Sequence, residues 1–264
     1  MGYGIALLII GLAGLGGAAL AFLVQIRVEV AFRRRHHDVG STMYLQLGVV
    51  FAVLLAFVFS EVWSEYNGAA EAVALEQHSL HVITVLAGTL PPPEAEAILA
   101  AQIAYMESVI QKEWPSMARE RNGDRETSAR LDRLVRQTVT AKLGDPDAAD
   151  TKYRILTALQ NAQTDRGTRI FQASFGVPRQ LWTLLIVFTL VLVIFTALSQ
   201  IDDMVTAMLM TACFTLGLTS ILVLVRLLDF PFEGPLALPS SEFQHILGEA
   251  RTALEQVRAA QAGP

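Results

Sequence analysis

The sequence predicts an all-α membrane protein with four transmembrane helices and a helical-bundle insert between spans two and three. The chain has 264 residues, of which 53% are hydrophobic and 17% are charged, whereas soluble domains carry about 25% charged residues. Four apolar stretches reach the roughly 20 residues that a helix needs to cross a bilayer core. The polar segments between them follow helical periodicity and lack the alternation that is typical of strands.

The composition also excludes several kinds of function. The net charge of −5 gives little reason to expect a nucleic-acid partner. The single cysteine, Cys213, excludes an intrachain disulfide framework and a multi-cysteine metal site. His78 and His81 are three residues apart but lack clear further ligands. Because the common catalytic and nucleotide-binding motifs are also absent, we predict no enzyme activity, no cofactor and no metal site.

The four candidate spans differ in how they are connected and in the residues that they carry. They are residues 5–24, 45–63, 181–199 and 204–225. In the first span, Gly14 and Gly17 each have an alanine four residues later, and such small pairs let a helix pack closely on a neighbour. Only four residues join the last two spans, so we expect a tight transmembrane hairpin.

Charge and connectivity divide the chain into four segments and orient them. The predicted segments are residues 1–63, which contain a basic loop at 25–44, the insert 64–179, the hairpin 180–228 and the tail 229–264. Four arginines crowd the basic loop, so the positive-inside rule places that loop in the cytoplasm. The insert and the tail then share the extracytoplasmic side of the cell membrane, because two spans separate them.

Breaks in the helical pattern divide the insert into four helices. Span two continues to about Thr89, where a Leu-Pro-Pro-Pro sequence stops it. The next three helices are predicted at about 94–114, 124–143 and 147–171. Pro115 is expected to end the first of these three. In the tail, a last helix over 241–261 has a partly apolar face that would dock on the insert.

Span two carries one candidate for the lining of a pore. Its large apolar residues at helical spacing form one stripe, which consists of Phe51, Leu55, Val58 and Val62. Repeated around an oligomer, such a stripe would make a hydrophobic constriction that gates by dewetting. A stripe that faces lipid has the same appearance in a single sequence, so both interpretations stay open.

Span four carries a second candidate for the lining of a pore. Thr211, Thr215 and Thr219 follow one another at i+4 spacing, and Arg226 lies on nearly the same stripe. A row of hydroxyls that leads to an arginine would suit an anion path. Alternatively, the threonines bond back to the preceding turn of their own helix and Arg226 extends to the lipid headgroups.

Two carboxylates lie where span two leaves the bilayer. Glu61 and Glu65 are four residues apart, and a carboxylate so close to hydrocarbon is a functional candidate by default. The alternative is an interfacial residue that points to water or pairs with an arginine of the insert. Arg166 and Arg169, which precede span three, are the arginines that would supply this pairing.

Several segments together resemble the bestrophin-like membrane family found in bacteria and plants. The residues that carry the resemblance are Tyr66 and Ala69 through Glu76, Tyr105 with Glu113-Trp114-Pro115, Arg166 and Arg169, Pro178 with Leu181-Trp182, and Leu228-Asp229 with Pro231, Phe232 and Gly234. The resemblance implies a protein with four spans. By a more distant analogy to bestrophins, it implies an oligomeric anion channel.

The motif residues also have a structural interpretation. Glu113-Trp114-Pro115 would end a helix, with the amphipathic Trp114 at an interface. The turn from Asp229 to Pro235 would be rigid, and Asp229 would cap it or pair with Arg226 or an arginine of the insert.

The sequence thus predicts an oligomeric, chloride-like anion channel. Its expected partners are the lipid bilayer, further copies of the chain, and anions such as chloride. The alternative is a membrane-anchored binding, sensory or scaffolding module whose helical insert recognises a ligand or a partner protein.

Overall fold

The chain folds into helices, and the computed structural model describes residues 2–35, 37–199 and 203–262. Within these ranges the backbone forms ten α-helices and no strand. The helices are Tyr3–Arg27 (α1), Val30–Arg35 (α2), His37–Ala87 (α3), Pro92–Ser108 (α4), Trp114–Glu120 (α5), Arg125–Thr140 (α6), Pro146–Ser174 (α7), Arg179–Ala197 (α8), Met204–Leu228 (α9) and Ser241–Ala262 (α10). A π-helical turn, Val109–Glu113, joins α4 to α5, and a 3-10 turn, Gly234–Leu236, precedes α10.

Four of these helices are long and apolar enough to cross a membrane. They are α1, α3 from Gly40 onward, α8 and α9. The predicted number of spans is therefore confirmed. Most of the predicted four-residue connection between the last two spans lies outside the described residues.

The chain divides into two compact units. The first, which we call the span unit, comprises Met1–Ser64 and Gly176–Asp229. The second, which we call the bundle unit, comprises Glu65–Phe175 and Phe230–Pro264. Helix α3 contributes its first part to the span unit and its second part to the bundle unit.

Small residues hold α1 against α9 in the span unit. A Cβ atom added at Gly14 would lie 2.7 Å from Leu216 Cγ, and one added at Gly17 would fall on the Thr215 side chain. Gly16, on another face of α1, has nothing within 4 Å of such an atom. The close packing that the small residues of span one predicted is thus confirmed, and its partner is α9.

The bundle unit has a continuous hydrophobic core. Fully buried side chains come from α3, α4, α6, α7 and α10, and they include Leu80, Ile98, Leu134, Leu159 and Phe243. The buried face of α10 packs against α4. Helix α6 is amphipathic and is capped by Asp124, whose side chain accepts a hydrogen bond from Thr127 N at 2.7 Å.

The structure corrects the predicted helix end at Pro115. Helix α4 continues through the π-helical turn into α5, which ends only at Glu120. A proline inside a helix lacks its N–H donor and clashes with the carbonyl four residues earlier. Here Pro115 lies in the first turn of α5, directly after the wider π-helical turn in which Trp114 N bonds to Val109 O. The π-helical turn therefore accommodates the proline without ending the helix.

Candidate functional site

Four charged residues selected from the sequence meet inside the bundle unit. Glu76 comes from α3, Glu113 from the π-helical turn, and Arg166 and Arg169 from α7. The side chains of Glu76, Glu113 and Arg169 have no exposed surface, and that of Arg166 keeps only 11%. We call these four residues the ionic centre. The sequence identified its members but not their pairing.

Arg169 connects the two carboxylates of the ionic centre. Its Nε donates to Glu76 Oε2 at 2.7 Å, and its Nη2 donates to Glu113 Oε1 at 2.8 Å and to Glu76 Oε1 at 3.2 Å. The remaining Nη1 donates to Met117 Sδ at 3.3 Å. The planar, forked guanidinium suits this arrangement, because it presents donors to two carboxylates at once in fixed directions.

Glu113 accepts from both arginines and from the backbone. Arg166 donates to it from Nε, at 3.0 Å, and from Nη2. The backbone N–H of Asp124 donates to Glu113 Oε2 at 3.3 Å, and Arg166 Nη2 also donates to Ser128 Oγ at 2.9 Å. Arg166 and Arg169 reach the same carboxylate because residues three apart share one face of a helix.

Aromatic side chains surround the ionic centre. The Tyr105 hydroxyl donates to Glu76 Oε1 at 2.6 Å. The Trp114 ring lies 5.1 Å from the guanidinium carbon of Arg169 and makes edge contacts with Phe232 and Phe243. Trp114 is only 9% exposed, and its Nε1 donates to Leu238 O at 3.0 Å. The structure therefore places Trp114 in the core of the bundle unit, which corrects its expected position at an interface.

Burial and pairing set the protonation of the ionic centre. Burial acts to raise the pKa of Glu113, but Arg166 and Arg169 hold this pKa below the ordinary value. Burial acts to lower the pKa of Arg169, but Glu76 and Glu113 more than offset it and raise this pKa. Burial, followed by the charge of Glu76, raises the pKa of Tyr105 well above its ordinary value. The paired arginines thus offset the effect of burial on Glu113, and the carboxylates offset it on Arg169.

The ionic centre fixes three helical segments relative to one another. Each carboxylate is bound through several hydrogen bonds from α7, and removal of one partner would leave an uncompensated buried charge. This arrangement specifies the packing of the bundle unit. It contains no nucleophile paired with a base, so the geometry does not indicate catalysis.

In the turn after α9, two acidic side chains, Asp229 and Glu233, accept hydrogen bonds from neighbouring segments. In the span unit, Asp229 Oδ1 accepts from Val177 N at 2.7 Å and Asp229 Oδ2 lies 3.8 Å from Arg226 Nη1. The predicted pairing of Asp229 with Arg226 is therefore observed.

In the bundle unit, Glu233 accepts from Arg121 Nε at 2.5 Å, and Phe232 packs on Trp114. Pro231 is buried, and Gly234 adopts φ 78°, a conformation that favours glycine.

The candidate pore stripe of span two is buried within the span unit. Phe51, Leu55, Val58 and Val62 are between 0% and 8% exposed. Phe51 stacks on Phe188 of α8, with ring centroids 6.3 Å apart. The structure therefore buries this stripe within a single copy of the chain.

A different face of α3 is exposed in the span unit. Along the span-unit part of α3, exposed side chains recur at helical spacing. They are Gln46, Val50, Val53, Phe57, Glu61 and Ser64. We call these six residues the open face of α3. Val53 and Phe57 at its centre are 66% and 64% exposed. Sequence reasoning missed this face, although the polar residues at both of its ends mark it.

The threonines of span four bond to their own helix. Thr211 donates to Ala207 O at 2.8 Å, and Thr215 donates to Thr211 O at 2.7 Å. Both are buried, and Thr215 lies against Gly17 of α1. Thr219 and Arg226 are partly buried. The alternative prediction of back-bonded threonines therefore describes Thr211 and Thr215 better than an anion path does.

The two glutamates at the end of span two differ in exposure. Glu61 is exposed and Glu65 is half-buried. Arg166 and Arg169, which the sequence offers as possible partners, bind Glu113 and Glu76 in the bundle unit.

No metal site is formed by the described residues. Within these ranges, no group of three or more His, Cys, Asp or Glu side chains is arranged to hold a metal ion. His81, one of the two histidines considered from the sequence, instead contacts Glu249 Oε2 of α10 through Nδ1 at 2.7 Å.

Comparisons with known proteins agree with the architecture. No curated protein matches the sequence. Solved structures of a bacterial bestrophin homolog from Klebsiella pneumoniae have the same fold. One, a single-residue variant, has a TM-score of 0.75 at 13% identity, and the match covers 92% of this chain and 98% of that chain. A second variant has a TM-score of 0.73 at 15% identity, and the match covers 92% of this chain and 99% of that chain.

The family is shown by the sequence itself. The model of the bestrophin-like domain matches residues 11–243, a range that begins in α1 and ends in α10 and includes every residue of the ionic centre. The chain therefore belongs to the bestrophin-like family.

Proposed function

We propose that this chain forms a homo-oligomeric ion channel in the cell membrane, with the open face of α3 lining the path. Membership of the bestrophin-like family and the fold shared with a bacterial bestrophin homolog support a channel. The four membrane-length helices support its place in a bilayer. The insert and tail are proposed to lie on the extracytoplasmic side, as the arginines of the basic loop predict.

The observation that carries the proposal is the polarity of the open face of α3. The exposed face of α1 stays apolar from Ile5 to Ile26, about 32 Å at the helical rise, which suits a hydrocarbon core about 30 Å thick. On the open face of α3, Gln46 and Glu61 are only about 22 Å apart along the axis. A face with polar residues so close together fits water better than lipid.

The centre of the open face would form the narrow part of the path. Val50, Val53 and Phe57 are all more than half exposed and carry no polar group. When copies of the chain surround an axis, such side chains form a hydrophobic ring at each level. A ring of this kind can gate conduction by dewetting.

The charge of the permeant ion is a separate part of the proposal. Chloride is favoured by the resemblance to bestrophins. The threonine row of α9 does not support it, because Thr211 and Thr215 are used in packing against α1 and in bonds to their own helix.

The experiment is reconstitution of the purified full chain into liposomes, with ion flux and assembly size measured on the same preparation. We expect a ring of three or more copies and a flux that Phe57→Ala changes. The matched control is Leu12→Ala, because Leu12 is exposed on the apolar face of α1. A monomer without flux would contradict the channel and favour the alternative of a binding or sensory module.

A further inference from the structure

We infer that Glu61 gives the path a preference for cations, because it places a carboxylate on the open face one turn beyond the apolar centre. The inference rests on the proposed channel and names the residue that selects the charge of its ion. The class of ligand is a small monovalent cation.

Glu61 occupies an unusual position for a charged residue. It lies within the membrane-length part of α3, is exposed, and follows Phe57 by four residues on the same helical face. A carboxylate against hydrocarbon is costly, so charged residues in spans face a protein interior or a water-filled cavity. If the open face lines a path, Glu61 lies in water at the mouth of the narrow part.

The rest of α3 carries no basic residue that would cancel this charge. Its 51 residues, His37–Ala87, include five acidic residues and neither lysine nor arginine. Within the span-unit part of α3, Glu61 is an exposed carboxylate. A path lined by the open face therefore carries a negative charge at Glu61.

Cyclic symmetry would multiply the charge at Glu61. A ring of identical chains places one copy of each residue at each position around the axis. Rings of carboxylates are the usual lining of cation-conducting pores. A narrow, single-sign lining raises the local concentration of the opposite ion by about 10-fold or more. Glu61 thus favours entry of K⁺ or Na⁺ over chloride.

The test is the reversal potential of the reconstituted full chain in planar bilayers under a KCl gradient. We expect the wild-type channel to prefer K⁺ and Glu61→Gln to lower the K⁺-to-Cl⁻ permeability ratio about 10-fold. Glu61→Lys is expected to invert the preference. Glu255→Gln is the matched control, because Glu255 is an exposed carboxylate on α10 and its removal should leave the ratio unchanged.

The outcomes separate this inference from the proposed channel. Currents that keep the same permeability ratio in Glu61→Gln and Glu61→Lys would overturn the role of Glu61 and leave the channel in place. A wild-type preference for chloride would also overturn it. Absence of current from correctly assembled wild-type rings would overturn the channel, and with it the inference.

Discussion

The span unit and the bundle unit are held together in different ways. In the span unit, α1 and α9 meet through Gly14 and Gly17, and most of each membrane-length helix surface remains uncovered by the protein. In the bundle unit, a continuous hydrophobic core encloses an ionic centre with two carboxylates and two arginines. The first unit uses close backbone approach, and the second combines apolar burial with charge pairing.

The difference follows from the solvent of each unit. Lipid is as apolar as leucine, so helices in a bilayer gain little from apolar burial and associate through small residues that allow close packing. In water, apolar burial drives the bundle together, and buried charges then demand specific partners. Substitutions should therefore destabilise the bundle unit by leaving buried charges unpaired. They should destabilise the span unit by adding side-chain volume between its helices.

The largest effect is expected for Arg169→Ala. The substitution leaves Glu76 without its arginine and removes one of the two arginines from Glu113, inside a core without exposed surface. Breaking a buried pair in this way costs about 3–5 kcal/mol of unfolding free energy. Chemical unfolding of the full chain in detergent, followed by circular dichroism, measures it. Unchanged stability would show that the ionic centre does not hold the bundle unit together.

A smaller and pH-dependent effect is expected for Glu113→Gln. The pKa of Glu113 is lowered in the folded protein because Arg166 and Arg169 outweigh its burial. A lowered carboxyl pKa stabilises the fold above the ordinary glutamate pKa of about 4.3. That stability is lost as the pH falls through the lower folded pKa. The stability difference between wild type and Glu113→Gln should shrink on acidification below about pH 4. A difference that stays constant there would argue against a charged Glu113.

In the span unit, the expected effect comes from added volume. Gly17→Leu would drive a side chain into Thr215 of α9, whereas Gly16→Leu meets open space. Overpacking of this kind costs about 1–3 kcal/mol. Thermal aggregation of the two variants in the same detergent compares them directly. Equal thermal stability would mean that α1 does not rely on close contact with α9.

The smallest effect is expected for an ion pair on the surface of the bundle unit. Arg251 Nη2 donates to Glu107 Oε1 at 2.6 Å, but the Arg251 side chain is 56% exposed. Exposed pairs contribute about 0–1 kcal/mol. Arg251→Ala should therefore unfold almost as wild type does in the assay used for Arg169→Ala. A loss of unfolding free energy as large as that of Arg169→Ala would show that buried and exposed ion pairs contribute equally to stability.

Much of the fold was predictable because it depends on local pattern. The spans are long apolar runs, and the charges of the ionic centre were identified as motif residues. The pairing of Glu76 with Arg169 joins residues 93 positions apart, and no local pattern specifies such a contact. Pro115 was interpreted as a helix end, because the sequence does not reveal the π-helical turn that accommodates it.

The burial of the span-two stripe depends on tertiary packing and not on local pattern. The middle of span two is apolar on every side, so hydrophobicity does not distinguish Phe51 from Val53. The contact with Phe188 on α8 decides that Phe51 is buried, and this contact depends on tertiary packing. The polar residues Gln46, Glu61 and Ser64 were the signal available in the sequence, because they share one helical face with Val53.

The role of the open face is tested most directly by the accessibility, from the path, of two neighbouring positions on α3. Cysteine is introduced at Val53, on the open face, or at Phe51, on the buried face, after Cys213 is replaced by serine. A water-soluble methanethiosulfonate reagent is then applied to the reconstituted full chain. If the open face lines the path, Val53→Cys currents change on modification and Phe51→Cys currents do not. Modification at Phe51→Cys with none at Val53→Cys would contradict it.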